Sequence, residues 1–180
     1  MQPFIETFLG YTFKPLDPDF EKVRIQDIAH ALSNQGRFSG HTRFRYSVAE
    51  HSVRVSELIE ELGHDRQDQL WGLLHDASEA YLVDLPTPLK SDPTIGDAYR
   101  AAEERLMQAI RQRFCLPAEP EIVRIADAAL LTTEVRDLMH PGRDYWKKLT
   151  AKPLPGRIRP WGADVAEYEF LKRFYELGGT

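Results

Sequence analysis

With 180 residues, 42% of them hydrophobic and 11% aromatic, the chain suits a single domain and can bury a core without disulfides or structural metal. Its net charge of −5 gives no global attraction to DNA or an acidic membrane surface, and its lone Cys115 excludes an internal disulfide and suits a reducing compartment. No apolar run approaches the ~18 residues of a membrane span and MQPFIETFLGYTFKP has no basic-then-apolar leader, so a soluble cytoplasmic protein is expected, with neither a nucleic-acid polymer nor a membrane as partner.

Residues 1–24 carry Pro3, Gly10, Pro15 and Pro18 and read as a looped lead-in. Ile25, Ile28, Ala29 and Leu32 then repeat at i, i+3, i+4, i+7, the apolar face of a first helix, with Gly36 as its expected stop. After the polar and aromatic loop RFSGHTRFRY, Ser47 and Glu50 form an S-x-x-E capping box that starts a second helix. Its apolar face is Val48, Val55, Leu58, Ile59 and Leu62; His51 shares that face, and Gly63 ends the helix. A third helix is expected from about Asp68 to Tyr81, broken by Pro86, Pro88 and Pro93. A fourth spans about Ile95 to Phe114, a fifth about Glu121 to Met139, and a last one about Asp164 to Leu177. The fold class is therefore all-α, with 25–140 as the helical core and 141–180 as a loop and C-terminal helix. The loop 141–160 is basic: it holds Arg143, Lys147, Lys148, Lys152, Arg157 and Arg159 against the one acid Asp144. Such a run is a solvated loop or a patch that meets phosphate or an acidic face of a second subunit.

The chemistry concentrates in HDASE on the third helix. At 3.6 residues per turn His75 and Glu79 share a face at i, i+4, and Asp76 lies at i, i+3 from Glu79. Leu73, Leu74 and Ala77 set this polar group near the core, where charge needs a partner or a metal. His51 and Asp127, the latter flanked by Ala126 and Ala128, are also placed on apolar helix faces. Separately, each reads as a hydrogen-bonded core residue. Together they supply two imidazoles and two carboxylates from three helices, for which a divalent metal is the economical explanation.

The order His51, His75-Asp76, Asp127 resembles the H…HD…D pattern of the HD-domain metal-dependent phosphohydrolases. YSVAEHS followed by LLHDASEAYLVDLPTPLK is similar to the bacterial 5′-deoxynucleotidase branch, and DIAHALSNQGRFSGHT resembles short HD proteins of bacteria and phages, among them phage dATP triphosphohydrolases. The resemblance runs from about Asp27 to Glu134. It implies a single HD-domain helical bundle centred on a divalent ion (Co, Mn, Zn, Fe or Mg) held by His51, His75, Asp76 and Asp127. It further implies Glu79 as the catalytic acidic residue and Asp84 as a second acid assisting the water or leaving group. Arg37 matches an arginine that contacts phosphate and sugar, Phe38 stands where that branch has tryptophan, and Lys90 matches a lysine near the phosphates. His41, in the Arg37 loop, is a candidate substrate contact; Thr87 and Pro88 lie in the turn that would shape the pocket.

The implied activity is hydrolysis of deoxynucleotide phosphate esters, on a dNMP or at the α-phosphate of a dNTP, for which Arg43, Arg45 and the 141–160 cluster supply further cations. The alternative is a non-catalytic HD-fold module that binds nucleotide or a partner; the presence of Glu79 and Asp84 favours the enzyme. His30 reads as a core or interface residue. Tyr168, Phe170, Phe174 and Tyr175 give the last helix more apolar side chains than one packing face uses, and related enzymes assemble, so a homo-oligomer is expected.

Overall fold

Short polar side chains decide where the helices begin. Asp65 Oδ1 accepts the Gln67 and Asp68 amides at 2.9 and 3.0 Å, Asp92 caps Thr94 and Ile95 in the same way, and Ser47 Oγ accepts the Glu50 amide at 3.1 Å. Each satisfies donors that a helix start leaves open. Only half of the expected capping box forms, because the Glu50 carboxylate turns to Arg54 and the Trp161 amide instead.

The computed structural model describes residues 3–142 and 144–180, and Arg143 of the basic cluster lies outside them. The helices are α1 (Ile25–Asn34), α2 (Val48–Glu61), α3 (Arg66–Leu74), α4 (Glu79–Leu82), α5 (Thr87–Lys90), α6 (Pro93–Arg113), α7 (Glu121–Leu138) and α8 (Ala163–Glu176). Strands β1 (Ile5–Glu6) and β2 (Thr12–Phe13) pair antiparallel in a small hairpin within the lead-in. The all-α expectation holds. Among the described residues no helix is long and apolar enough to cross a membrane.

α2 is the central rod: α1, α3, α7 and α8 all pack on it. Its Val48, Ala49, Val53, Val55 and Ile59 are at most 1% exposed, and α8 adds Phe170 and Phe174 at 0%. Tyr168 and Tyr175 of α8 face outward, so this aromatic helix does carry more rings than the core takes in. α2 and α3 approach closely at Gly72, where a Cβ would lie 2.6 Å from Ile59 Cδ1 and 3.2 Å from Ser56 Cα.

Three boundaries differ from expectation. α1 ends on Gln35, and Gly36 has an ordinary φ of −85°; Gly63, at φ +81°, is the left-handed glycine that does close a helix. The expected helix to Tyr81 stops at Leu74 and resumes as α4. Across the join the amides of Ala77, Glu79, Ala80 and Tyr81 bond three residues back, a tightening to 3₁₀ geometry. The Pro-rich break is not all loop, since Pro88 fits the first turn of α5, where its missing N–H costs nothing.

The close approach at Gly72 makes a direct expectation. Gly72→Ala should cost about 1–3 kcal/mol by overpacking, seen as a lower urea midpoint with an unchanged m value.

Candidate metal centre

The 3₁₀ tightening is what shapes the site. A 3₁₀ turn eclipses residues i and i+3, so the chain from Leu74 to Tyr81 aligns Asp76 with Glu79, where a continuous α-helix would stack His75 over Glu79. His75, released from the helix, turns its Nδ1 onto the Gly72 carbonyl at 2.7 Å. Nδ1 is then the donor, and Nε2 keeps its lone pair.

His51, on α2 and fully buried, is fixed the same way by a different partner. Its Nδ1 lies 2.6 Å from Glu134 Oε1, and Glu134 of α7 has no solvent exposure. His51 Nε2 consequently faces His75 Nε2 at 3.3 Å and Asp76 Oδ2 at 3.7 Å, while His75 Nε2 lies 3.3 Å from Asp76 Oδ2. These three atoms all lie within 4.8 Å of one another. Asp127 Oδ1 is 3.2 Å from His51 Nε2 but its side chain is 41% exposed and stays outside that tight trio. Of the four expected ligands, three converge, and Asp127 borders them from the rim instead of from an apolar face.

The electrostatics favour positive charge at the centre. Burial and Arg37 push the His51 imidazole down, yet Glu134 and Asp127 outweigh them and carry its pKa up to about 9. A proton or a metal ion at Nε2 meets that demand. Burial alone would raise Asp76 and Asp127, but His75, His51 and Arg37 hold Asp76 below its ordinary value, and His51 with the same neighbours holds Asp127 well below it.

Glu79 behaves oppositely. It is 4% exposed, its Oε2 has no hydrogen-bond partner, and burial, with Asp76 and Asp84 nearby, raises its pKa to about 9. Lys90 Nζ stands 3.4 Å from Glu79 Oε1 and 3.0 Å from Glu103 Oε1. Burial, with Asp76 close by, also raises Asp84 against the opposing pull of Arg37. The Gln35 amide ties the two acids together: its Nε2 donates to the Glu79 carbonyl at 2.9 Å and its Oε1 accepts the Asp84 amide at 3.2 Å. Between them Val83 adopts φ 75°, ψ 148°, close to a region that is essentially glycine's alone.

Arg37 opens a second strained turn. Its Nη1 is 3.2 Å from Asp76 Oδ2 and its Nε 3.3 Å from Glu134 Oε2, so it reaches both the trio and the carboxylate behind it. Phe38, Ser39 and Gly40 follow in the left-handed region at φ 54°, 52° and 76°, each non-glycine residue costing roughly 1–2 kcal/mol. Phe38 meets the Trp146 ring edge-on at 6.1 Å. His41 and Pro88 are exposed. Arg43 and Arg45 do not turn to the cluster: Arg43 donates to the Asp137 carbonyl at 2.5 Å and Arg45 to the Ser33 carbonyl, each meeting a helix C-terminal end. In the basic loop Lys147 pairs with Asp144 and Arg157 lies 3.6 Å from Asp137. His30 pairs with Glu167 at 3.0 Å on the α8 side.

Two residues here escaped the sequence reading. Glu134 had a signal, since it lies seven residues after Asp127 and so on the same helical face. Gln35 had none, being an amide at a helix end.

Fold and cluster together define a helical bundle with a partly buried His/His/Asp cluster braced by a second carboxylate. No family model matches the chain. It is 35% identical over 177 residues to the uncharacterized protein YfdR of Escherichia coli K12, covering 97% of this chain and 95% of that protein. It is also 35% identical over 153 residues to an uncharacterized protein of Rhodobacter capsulatus, covering 80% of this chain and 77% of the other. The chain belongs to the YfdR family.

The Val83 backbone supplies a test of stored strain. Because its side chain is 60% exposed, Val83→Gly should lose little packing and gain about 1 kcal/mol in chemical unfolding, while loosening the Glu79–Asp84 spacing.

Proposed function

We propose that this protein is an HD-domain phosphohydrolase that cleaves deoxynucleotide phosphate esters with a divalent metal. The observation that carries the proposal is the trio of His51 Nε2, His75 Nε2 and Asp76 Oδ2 within 4.8 Å, beside a buried, partnerless carboxylate oxygen on Glu79.

The donor set fits a metal. Both imidazoles present Nε2 because their Nδ1 atoms are engaged by Gly72 and Glu134, the outer-shell arrangement that orients metal-binding histidines. His51, His75 and Asp76 would hold the ion, with Asp127 as the fourth ligand from the rim. A mixed nitrogen and oxygen set suits Mn, Co, Fe or Zn, with Mg possible and Ca disfavoured. A metal bound there supplies an acidified water and a Lewis acid for a phosphoryl oxygen.

The rest falls to the chain's own side chains. Glu79, with its raised pKa, holds a proton at pH 7 and would donate it to the leaving oxygen as general acid. Asp84, held at fixed spacing by Gln35, stands beside it as the assisting acid. Lys90, beside Glu79, and Arg37, beside Asp76, would offset negative charge growing on the phosphoryl group. Phe38 and Trp146 form an aromatic corner beside Arg37, suited to a sugar edge or base. His41 and Pro88, exposed on the flanking turns, would contact only the outer part of a substrate. The exposed rings of the hairpin and of α8 favour a homo-oligomer, read by light scattering.

Two measurements test the reading. Glu79→Gln should keep metal content and thermal stability close to wild type while losing about 10²–10⁴ in kcat; wild-type turnover in that variant removes Glu79 from the mechanism. In a panel of dNMP, dNTP and ribonucleotides assayed with Mn, Co, Mg and Zn, deoxy substrates should show the higher kcat/KM. Since a pocket that only crowds a hydroxyl discriminates by roughly 10–200-fold, a preference is expected and not absolute exclusion. Equal values for deoxy and ribo pairs would overturn the deoxynucleotide assignment.

A further inference from the structure

α6 commits one face to a single lysine. Gly96, Tyr99, Arg100 and Glu103 recur at i, i+3, i+4 and i+7, the spacing that sets residues on one side of a helix. Gly96 is buried against Lys90, whose carbonyl leaves no room for a Cβ, and Arg100 Nη1 donates to that same carbonyl. One turn further along, Glu103 Oε1 takes the Lys90 ammonium at 3.0 Å, and the Tyr99 ring centroid lies 5.2 Å from Nζ. The Tyr99 hydroxyl donates to the Val83 carbonyl at 2.5 Å. The backbone and the ammonium of Lys90 are thus gripped separately.

The backbone contacts dock α5, and the ammonium contacts set a direction. A lysine side chain is long and costly to fix in one place. Here it is fixed beside Glu79, yet its shorter contact is to Glu103, at 3.0 Å against 3.4 Å to Glu79 Oε1. Burial disfavours charge on Lys90, but Glu79 and Glu103 outweigh it, so the group stays an ammonium. An ammonium has three donors, and the two carboxylates take two. Among the described residues no acceptor takes the third, and the side chain is 27% exposed, open to a ligand from solvent.

We propose that Glu103 is a positioning residue for phosphate binding: with Tyr99 it holds the Lys90 ammonium beside Glu79 with one N–H left for a phosphate oxygen. The proposal takes from the phosphohydrolase reading only that phosphate comes to this side of the site. Without Glu103 the remaining ion-pair partner of Lys90 is Glu79, and the ammonium closes on it instead of facing the ligand. Glu103 is itself an anion and by charge alone repels phosphate, so a bystander acid and a positioning acid predict opposite signs when it is neutralised.

The test titrates the whole protein with inorganic phosphate in the presence of Mn, by calorimetry. Lys90→Ala should weaken phosphate about ten-fold or more, as for loss of a hydrogen bond to a charged group. Glu103→Gln should weaken it about three-fold or more, the scale of a partly exposed ion pair. Glu103→Asp keeps the charge but is one methylene shorter, and should weaken it as well; it keeps the test decisive if Glu103→Gln fails to fold. In the Lys90→Ala background Glu103→Gln should no longer weaken phosphate, a coupling that general damage to α6 does not produce. Unchanged or tighter phosphate binding in a folded Glu103→Gln, or an equal loss with Lys90 absent, overturns the positioning role even if deoxynucleotide hydrolysis is found. The expected pattern in a protein that hydrolyses no deoxynucleotide supports the role and overturns the phosphohydrolase reading, and no phosphate binding by the wild type overturns both.

Discussion

The Glu134 carboxylate is the constraint around which the site is organised. It sits at 0% exposure on α7, and a charge so placed survives only if it is paired. Its two oxygens divide the work: Oε1 takes the His51 Nδ1 at 2.6 Å, and Oε2 faces Arg37 Nε at 3.3 Å. The first contact fixes the imidazole tautomer that leaves Nε2 toward the trio. The second draws the Arg37 turn down onto the cluster, where its Nη1 reaches Asp76. One buried acid thus joins α2, α7, the 37–40 turn and the α3–α4 join, four pieces distant in sequence.

Backbone strain in the site falls in two turns, one beside this brace and one beside Glu79. Phe38 and Ser39 enter left-handed backbone immediately after Arg37, and Val83 does so between Glu79 and Asp84. Each turn is held at both ends. The Arg37 amide bonds to the Tyr46 carbonyl at 2.9 Å and the Gly36–Ser47 bridge closes its base, while Gln35 spans the Glu79–Asp84 segment and Tyr99 donates to the Val83 carbonyl. Backbone in sparsely populated regions persists only where its surroundings over-determine it. Gln35 and Arg37, two residues apart, serve the two strained turns, so the end of α1 is the hinge point of the polar site.

Helical periodicity carried most of the fold because the apolar stripes are unambiguous: Ile28, Ala29 and Leu32 on α1 and Val55 and Ile59 on α2 are all 0% exposed. His51 was legible for the same reason, as a polar residue on an apolar stripe. The α3–α4 join was not. His75 to Ser78 contains no glycine or proline, and His75 and Ser78 keep φ and ψ in the right-handed helical region; only the hydrogen-bond pattern shifts from four residues back to three, which periodicity does not register. Asp127 misled in the other direction. Its alanine neighbours suggested burial, but only Ala126 is buried while Ala128 is exposed, so Asp127 sits at the edge between the two faces of α7. The roles of Arg43 and Arg45 depended on which carbonyls end α1 and α7 in space, a tertiary fact with no local signature.

The same geometry separates the carboxylates into two classes. Asp76, Asp127 and Glu134 lie on the His51 and Arg37 side, where positive partners outweigh burial and keep them ionised. Glu79 and Asp84 lie on the Lys90 side, where the Lys90 ammonium is shared with Glu103 and burial prevails, so both are raised. Like groups in unlike environments are thus driven to opposite protonation states. Here the division follows from placement alone: the 3₁₀ turn sets Asp76 and Glu79 in line, and one turn of chain carries them from the cationic side to the desolvated side. The ionised Asp76 and the raised Glu79 therefore occur within three residues of each other, each with its own ion-pair partner, Arg37 for Asp76 and Lys90 for Glu79.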